Sequence, residues 1–98
     1  SVTGATLMEL KWTSKALSDL ARLYDFLVLA SKPAAARTVQ SLTQASVILL
    51  THPRMGEQLF QFEPREVRRI FAGEYEIRYE LTGQTIYVLR LWHTRENR

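Results

Sequence analysis

The chain of 98 residues contains no cysteine. Neither a disulfide frame nor a thiolate metal site is open to it, a state easiest to reconcile with a reducing cytoplasm. No apolar run approaches the roughly 20 residues needed to span a bilayer. Nothing at the start reads as a secretory signal. Histidine occurs only at His52 and His93, far apart and without an HExxH motif or clustered carboxylates, so neither metal nor cofactor is expected. The four glycines are scattered, which excludes a phosphate-cradling loop. No serine sits on a glycine-flanked elbow, which removes the serine-nucleophile reading. Lysine, finally, is missing from Pro53 onward, where every cation is arginine: Arg54, Arg65, Arg68, Arg69, Arg78, Arg90, Arg95 and Arg98.

What is present describes one small domain. With 46% hydrophobic against 23% charged residues, the chain is too apolar for a disordered tail. A chain of this size buries only roughly 60–65% of its unfolded surface, so its stability margin is thin without a partner. The net charge of +3 is a mild excess. Glu57, Glu63, Glu66, Glu74, Glu76, Glu80 and Glu96 nearly cancel the arginines of the same stretch. General nucleic-acid binding would look more one-sided, so direct sequence-specific DNA binding is not expected. Arginine suits bidentate contact with carboxylate or phosphate, which fits selective recognition of a protein or of a local RNA geometry.

Residues 1–6 are small and polar without pattern and read as a leader or expression remnant, poorly ordered, ahead of one domain over residues 7–98. Met8, Leu10 and Trp12 alternate with Glu9 and Lys11, as in a short half-buried strand. Thr13 and Ser14 offer a helix cap. Ala16, Leu20, Leu23, Leu27 and Ala30 then form an amphipathic seam, with Lys15, Asp19, Arg22 and Asp25 on its wet side. Pro33 opens a second helix whose seam is Ala35, Val39, Leu42, Ser46 and Leu49, with Ala34, Ala35 and Ala36 permitting close helix approach. The short turn between them predicts a helical hairpin. Beyond Pro53 and Gly56, a loop with Phe60, Phe62 and Pro64 leads to a strand at Val67-Arg68-Arg69-Ile70-Phe71. Tyr75, Ile77, Tyr79 and Leu81 alternate with Glu76, Arg78 and Glu80, and residues 85–92 complete an antiparallel meander. The expected fold is α+β, β-α-α-β-β-β: a mainly antiparallel four-stranded sheet, the first strand rejoining the meander's edge, packed by the hairpin.

Two surfaces invite a function. Metal-free RNA cleavage needs a base, an acid and cations on the phosphorane, and Arg69, Arg78, Arg90, Arg95 and His93, with Glu76 or Glu80 as base, offer those groups. The plainer account makes Glu76, Arg78 and Glu80 a solvated or cross-strand paired face, and His93 a strand-end capping histidine. Arg68 and Arg69, being adjacent, point oppositely. The second surface is apolar: Phe26-Leu27-Val28-Leu29-Ala30 and Val47-Ile48-Leu49-Leu50 are apolar all round their helices. Either they sink into the core or part of them awaits another chain.

The run Trp12-Thr13-Ser14-Lys15-Ala16-Leu17-Ser18-Asp19-Leu20, with Tyr24 after it, resembles the start of the RelE/ParE toxins of bacterial type II toxin–antitoxin pairs. So do Ala35-Ala36-Arg37, Leu50 through Pro53 to Gly56, Val67-Arg68-Arg69-Ile70, Tyr75-Glu76-Ile77-Arg78-Tyr79 and Val88-Leu89-Arg90-Leu91-Trp92-His93-Thr94-Arg95. The order and spacing of these pieces are closest to the ParE branch. The resemblance implies a cytoplasmic toxin that inhibits DNA gyrase by protein binding. It also implies neutralisation by a ParD-like antitoxin, a ribbon-helix-helix dimer whose tail folds onto the toxin. The alternative it carries is a RelE-type, ribosome-dependent endoribonuclease acting on messenger RNA. That branch commonly has arginine after the tyrosine opening the third strand, where this chain has Glu76, and a catalytic tyrosine in a C-terminal helix, whereas no tyrosine follows Tyr87. Both departures favour ParE; a C-terminal histidine such as His93 is used by some ribonuclease members. The residues this assigns are His93, Arg95 and Arg98 to the target, and Phe26, Val28, Leu29, Arg69 and Arg78 to the antitoxin. Arg69, Arg78 and His93 form the catalytic set of the alternative.

Overall fold

The structure, a computed structural model, describes residues 8–96. The expected leader at residues 1–6, Leu7 at the head of the first strand, and Arg98 lie outside the described residues. Strand β1 (Glu9–Trp12) leads into helix α1 (Ser14–Val28) and then helix α2 (Lys32–Ile48). A two-residue strand β2 (Glu57–Gln58) and a single 3-10 turn (Phe60–Phe62) precede β3 (Glu66–Ala72), β4 (Tyr75–Thr82) and β5 (Thr85–His93). The sheet order is β1-β5-β4-β3-β2, with β1 parallel to β5 and every other pair antiparallel. The α+β architecture therefore stands, with five strands instead of four. The extra strand carries only two residues, too few for a period-two pattern to register.

Both helices begin where their caps dictate. Thr13 Oγ1 accepts the Ala16 amide at 3.1 Å, and Ser31 Oγ accepts that of Ala34 at 3.2 Å, each satisfying a donor the helix cannot pair internally. Pro33 sits in the first turn of α2, where its missing N–H costs nothing. Ala16 and Leu23 from α1, with Leu42 from α2 and Leu49 at its C-cap, pack on Ile70, Ile77, Tyr79, Leu81, Ile86, Val88 and Leu91 of the sheet. Ser46 lies fully buried in the α2 seam, its hydroxyl donating to the Leu42 carbonyl at 3.0 Å.

A bulge keeps β5 facing the core. The register steps from Arg78 opposite Arg90 to Tyr79 opposite Val88, so Leu89 is the extra residue. Without that step Ile86 and Val88 would lie on one face and Leu91 on the other. The remote face has a smaller apolar layer: Leu59 and Val67 are buried there, and the Leu59 amide donates to the Val67 carbonyl at 2.8 Å.

Tyr79 ties the loop after α2 to this sheet. Its ring is fully buried, its hydroxyl accepts the Gly56 amide at 3.1 Å and donates to the Pro53 carbonyl at 2.8 Å. Gly56 must be glycine for that approach, because a Cβ there would stand 2.6 Å from the Arg69 carbonyl oxygen and 2.7 Å from the Tyr79 hydroxyl. Tyr79→Phe is expected to cost about 1–3 kcal/mol through the two orphaned backbone groups, and Gly56→Ala about 1–3 kcal/mol through overpacking. In urea titrations the double variant should cost less than the sum of the two, since both break one contact. Full additivity would show that the loop is held elsewhere.

Candidate functional site

The expected wet side of α1 needs a correction at Asp19. This carboxylate is only 5% exposed and lies on the same helix face as Ala16 and Leu23. Strand β1 pairs with β5 only as far as Trp12 opposite Val88, so the next stretch of β5 has no strand on that side. Thr13, the N-cap of α1, and the Asp19 side chain take its place. At the N-cap, the Thr13 amide donates to the Val88 carbonyl at 3.1 Å, and its single hydroxyl proton is shared between the carbonyls of Val88 and Leu89, both 3.1 Å away. Asp19 Oδ2 accepts the Leu91 amide at 3.0 Å and Arg90 Nε at 2.7 Å, while Oδ1 accepts Arg90 Nη2 at 3.2 Å. Burial alone would raise the Asp19 pKa; the hydrogen bonds from Arg90 and the Leu91 amide, with the charge of Arg90, outweigh it and hold the carboxyl below its ordinary value.

The network continues to the end of the described chain. Arg22 Nη2 reaches Asp19 at 3.5 Å and its Nη1 donates to Glu96 at 2.6 Å. Glu96 in turn accepts the His93 amide at 2.7 Å. The segment after β5 is thereby clasped to α1, and a cleft of about 560 Å3 opens between them. Its lining is Arg22, Leu23, Phe26, Leu27, Tyr75, His93, Arg95 and Glu96. A second cleft, of about 420 Å3, lies between α2 and the β3–β4 turn and shares the Tyr75–His93 wall. Those two rings meet edge to face, with centroids 5.1 Å apart. Burial, then the charges of Glu74 and Glu96, push the Tyr75 hydroxyl upward, so it stays protonated at neutral pH. His93 is engaged at both nitrogens: Nδ1 accepts the Arg95 amide at 3.0 Å and Nε2 lies 3.4 Å from Glu74.

The opposite face of the sheet holds the other candidates. Arg69, Arg78 and Arg90 lie side by side in register across β3, β4 and β5. Glu76 is 1% exposed, between Arg78 at 3.3 Å and Arg69 at 3.9 Å, and is not part of a solvated face. Arg69 also binds Glu57 at 3.0 Å. Arg78 stacks against Trp92 and Phe62 at 4.6 and 5.4 Å. Glu80 is held by Arg65 through two bonds of 2.7 and 3.1 Å. Arg68, pointing to the helix side, pairs with Glu66 at 2.9 Å, so both members of the arginine pair are neutralised by glutamate.

The residues singled out from sequence are thus sorted by the fold. His93 and Arg95 share one cleft. Phe26 lines it too and is 71% exposed, while Leu29 is 84% exposed and Val28 half-buried. Arg69 and Arg78 lie on the far side of the sheet from these helix residues, and also from His93. The surplus apolar surface is real: Leu17, Val47 and Ile48 are also exposed. Asp19, Arg22 and Glu96 were missed as a group. Only the three-four spacing of Ala16, Asp19 and Leu23 marked the first of them. Among the described residues no group of three His, Asp or Glu is placed to hold a metal, and no helix is long and apolar enough to cross a membrane.

A model of the family described as ParE toxin of type II toxin-antitoxin system, parDE, matches residues 10–98. Among solved structures, a chain of the chromosomal ParDE TA system from P. aeruginosa is similar, with 27% sequence identity and a TM-score of 0.76. The match covers 91% of this chain and 98% of that one. No protein of curated function matches in sequence.

The Asp19 carboxylate sets a pH dependence. Its folded pKa lies below the unfolded one, so its contribution is complete above the unfolded value and lost as pH falls through the folded one. Asp19→Ala is expected to cost roughly 2–5 kcal/mol at pH 7, because the Leu91 amide and Arg90 lose their acceptor. That difference from the parent should shrink as the pH of the urea titration falls below about 4. A pH-independent difference would show that the charge on Asp19 is not what holds the helix.

Proposed function

The chain belongs to the ParE toxin family of type II toxin–antitoxin systems, and from that we propose that it acts by binding DNA gyrase and is neutralised by a ParD-like antitoxin. The observation that carries this reading against RNA cleavage is the separation and neutralisation of the catalytic candidates. A ribonuclease would need Arg69, Arg78 and His93 around one phosphate. Here the sheet stands between His93 and the two arginines, and the buried Glu76 carboxylate occupies the space between Arg69 and Arg78. A phosphate approaching there meets a carboxylate already in place.

Target binding falls to His93 and Arg95 at the cleft, with Arg98 beyond the described residues. Antitoxin binding falls to the α1 surface at Phe26, Val28 and Leu29, supported by the exposure of Phe26 and Leu29. Arg69 and Arg78 would serve the antitoxin only if its tail wraps round the sheet to the far face. A cytoplasmic location follows from both proposed partners.

Purified protein is expected to block supercoiling by purified gyrase without ribosomes, and to leave messenger RNA intact in a translation assay run alongside. Ribosome-dependent cleavage with unaffected supercoiling would replace this function by the ribonuclease one. Replacing Val28 and Leu29 together by glutamate should weaken antitoxin binding about tenfold or more in calorimetry, with the melting temperature little changed. Unaltered affinity would remove that surface from the interface.

A further inference from the structure

The two edges of the sheet are finished differently. At the β2 edge the strand has only two residues, and Arg68 Nη1 donates to the carbonyls of Gly56 and Arg54 just ahead of it, at 2.7 and 3.3 Å. The β1 edge has no such cover. The Glu9 amide donates to the Gln84 carbonyl at 2.8 Å and the Thr13 amide to the Val88 carbonyl at 3.1 Å, so the odd-numbered residues turn their backbone groups to β5. Backbone direction alternates along a strand, and Met8, Leu10 and Trp12 therefore point their amides and carbonyls away from the sheet. Among the described residues no group pairs with those of Leu10 and Trp12. The side chains of the same three residues pack, half-buried, on the core face, whereas Glu9 and Lys11 are exposed on the other face.

This strand is complementary to itself. Turned about a two-fold axis through Leu10, an antiparallel copy sets Leu10 opposite Leu10, Met8 opposite Trp12, and Glu9 opposite Lys11. Each half-buried apolar side chain gains an apolar neighbour, and each carboxylate meets an ammonium directly across the gap. The outward amides and carbonyls fall into the hydrogen-bonded positions of an antiparallel pair. An axis through Glu9 or Lys11 would instead oppose two like charges. Charged residues on an edge ordinarily discourage pairing; here their opposite signs, one residue to either side of Leu10, select a single register. We propose that β1 pairs antiparallel with β1 of a second copy about a two-fold axis through Leu10, joining two five-stranded sheets into one. The pairing does not depend on the function proposed above. A contact this short belongs among weak, transient interfaces, so the dimer is expected to form over roughly 10–500 µM protein.

Sedimentation equilibrium of the full chain should show monomer passing to dimer over that range. Glu9→Lys and Lys11→Glu each set like charges opposite one another across the axis, and each should raise the dissociation constant about tenfold or more. Both positions are exposed, so melting temperatures should be unaltered. An equimolar mixture of the two variants should associate as tightly as the parent, because every opposed pair is again of opposite sign. In hydrogen exchange of the parent, the Leu10 and Trp12 amides should be protected at high concentration and lose that protection on dilution, while the Lys11 amide, turned to β5, stays protected at both. A parent still monomeric at the top of the range overturns the proposal, as does a dimer indifferent to both charge reversals. Protection of the Leu10 and Trp12 amides only in a complex with the antitoxin, the free chain being monomeric, gives the edge to that partner and overturns self-pairing.

Discussion

One buried carboxylate organises this molecule. The fifth strand sits between β1 and β4, but β1 stops at Trp12, leaving backbone groups of β5 unpaired in a region the first helix covers. A buried amide without an acceptor is costly, so the helix must supply what a strand would have supplied. Asp19 does so for the Leu91 amide, while Thr13, just ahead of the helix, serves the Val88 carbonyl with its amide and the Val88 and Leu89 carbonyls with its shared hydroxyl proton. A carboxylate in so dry a place would be destabilising alone; Arg90 on the same strand compensates its charge. The helix is thereby locked at one distance and one rotation against the sheet. Everything further along α1 inherits that setting, including Arg22, Leu23, Phe26 and Leu27 along the cleft.

The two faces of the sheet use their charges differently. On the face away from the helices, three arginines stand abreast, an arrangement that would repel if left bare. Glu57, Glu76 and Asp19 neutralise them, and the rings of Phe62, Phe71 and Trp92 stack on the guanidinium groups. These arginines are already committed within the chain. Among the described residues, Arg95 and Arg37 at the cleft end make no ion pair. Phe26 and Leu29 are exposed at that same end of the molecule.

The legibility of this arrangement varied with the range of the contacts. The seams of both helices apart from Ala30, the cap at Thr13, the hairpin and the three long strands could be read from residue spacing. The strand β2 could not, because two residues are too few to show alternation and their partners, Arg68 and Arg69, lie more than ten positions along the chain. Nor could the place of Asp19, since a charged residue beside Leu20 reads as a wet position until a strand end with an unpaired amide is brought against it. Glu76 misled in the same way: alternation placed it correctly on the far face, but not under the cover that buries it. His93 and Phe26 are far apart in the chain, and nothing in their spacing announced a common cleft.

Local pattern by itself determined the apolar face of each element, though not that Asp19 shares the inward face of α1, together with the class of the fold and the surplus of apolar side chains that one sheet face cannot hide. These follow from repeats of two and 3.6 residues, which the backbone imposes within a few positions of any residue. Only the tertiary structure decided which charges are neutralised internally, that the sheet separates Arg69 and Arg78 from His93, and that one trough gathers Phe26, Tyr75, His93 and Arg95. Those outcomes depend on contacts between segments tens of residues apart, set by a bulge at Leu89 and a carboxylate at Asp19, and no short-range period carries that information.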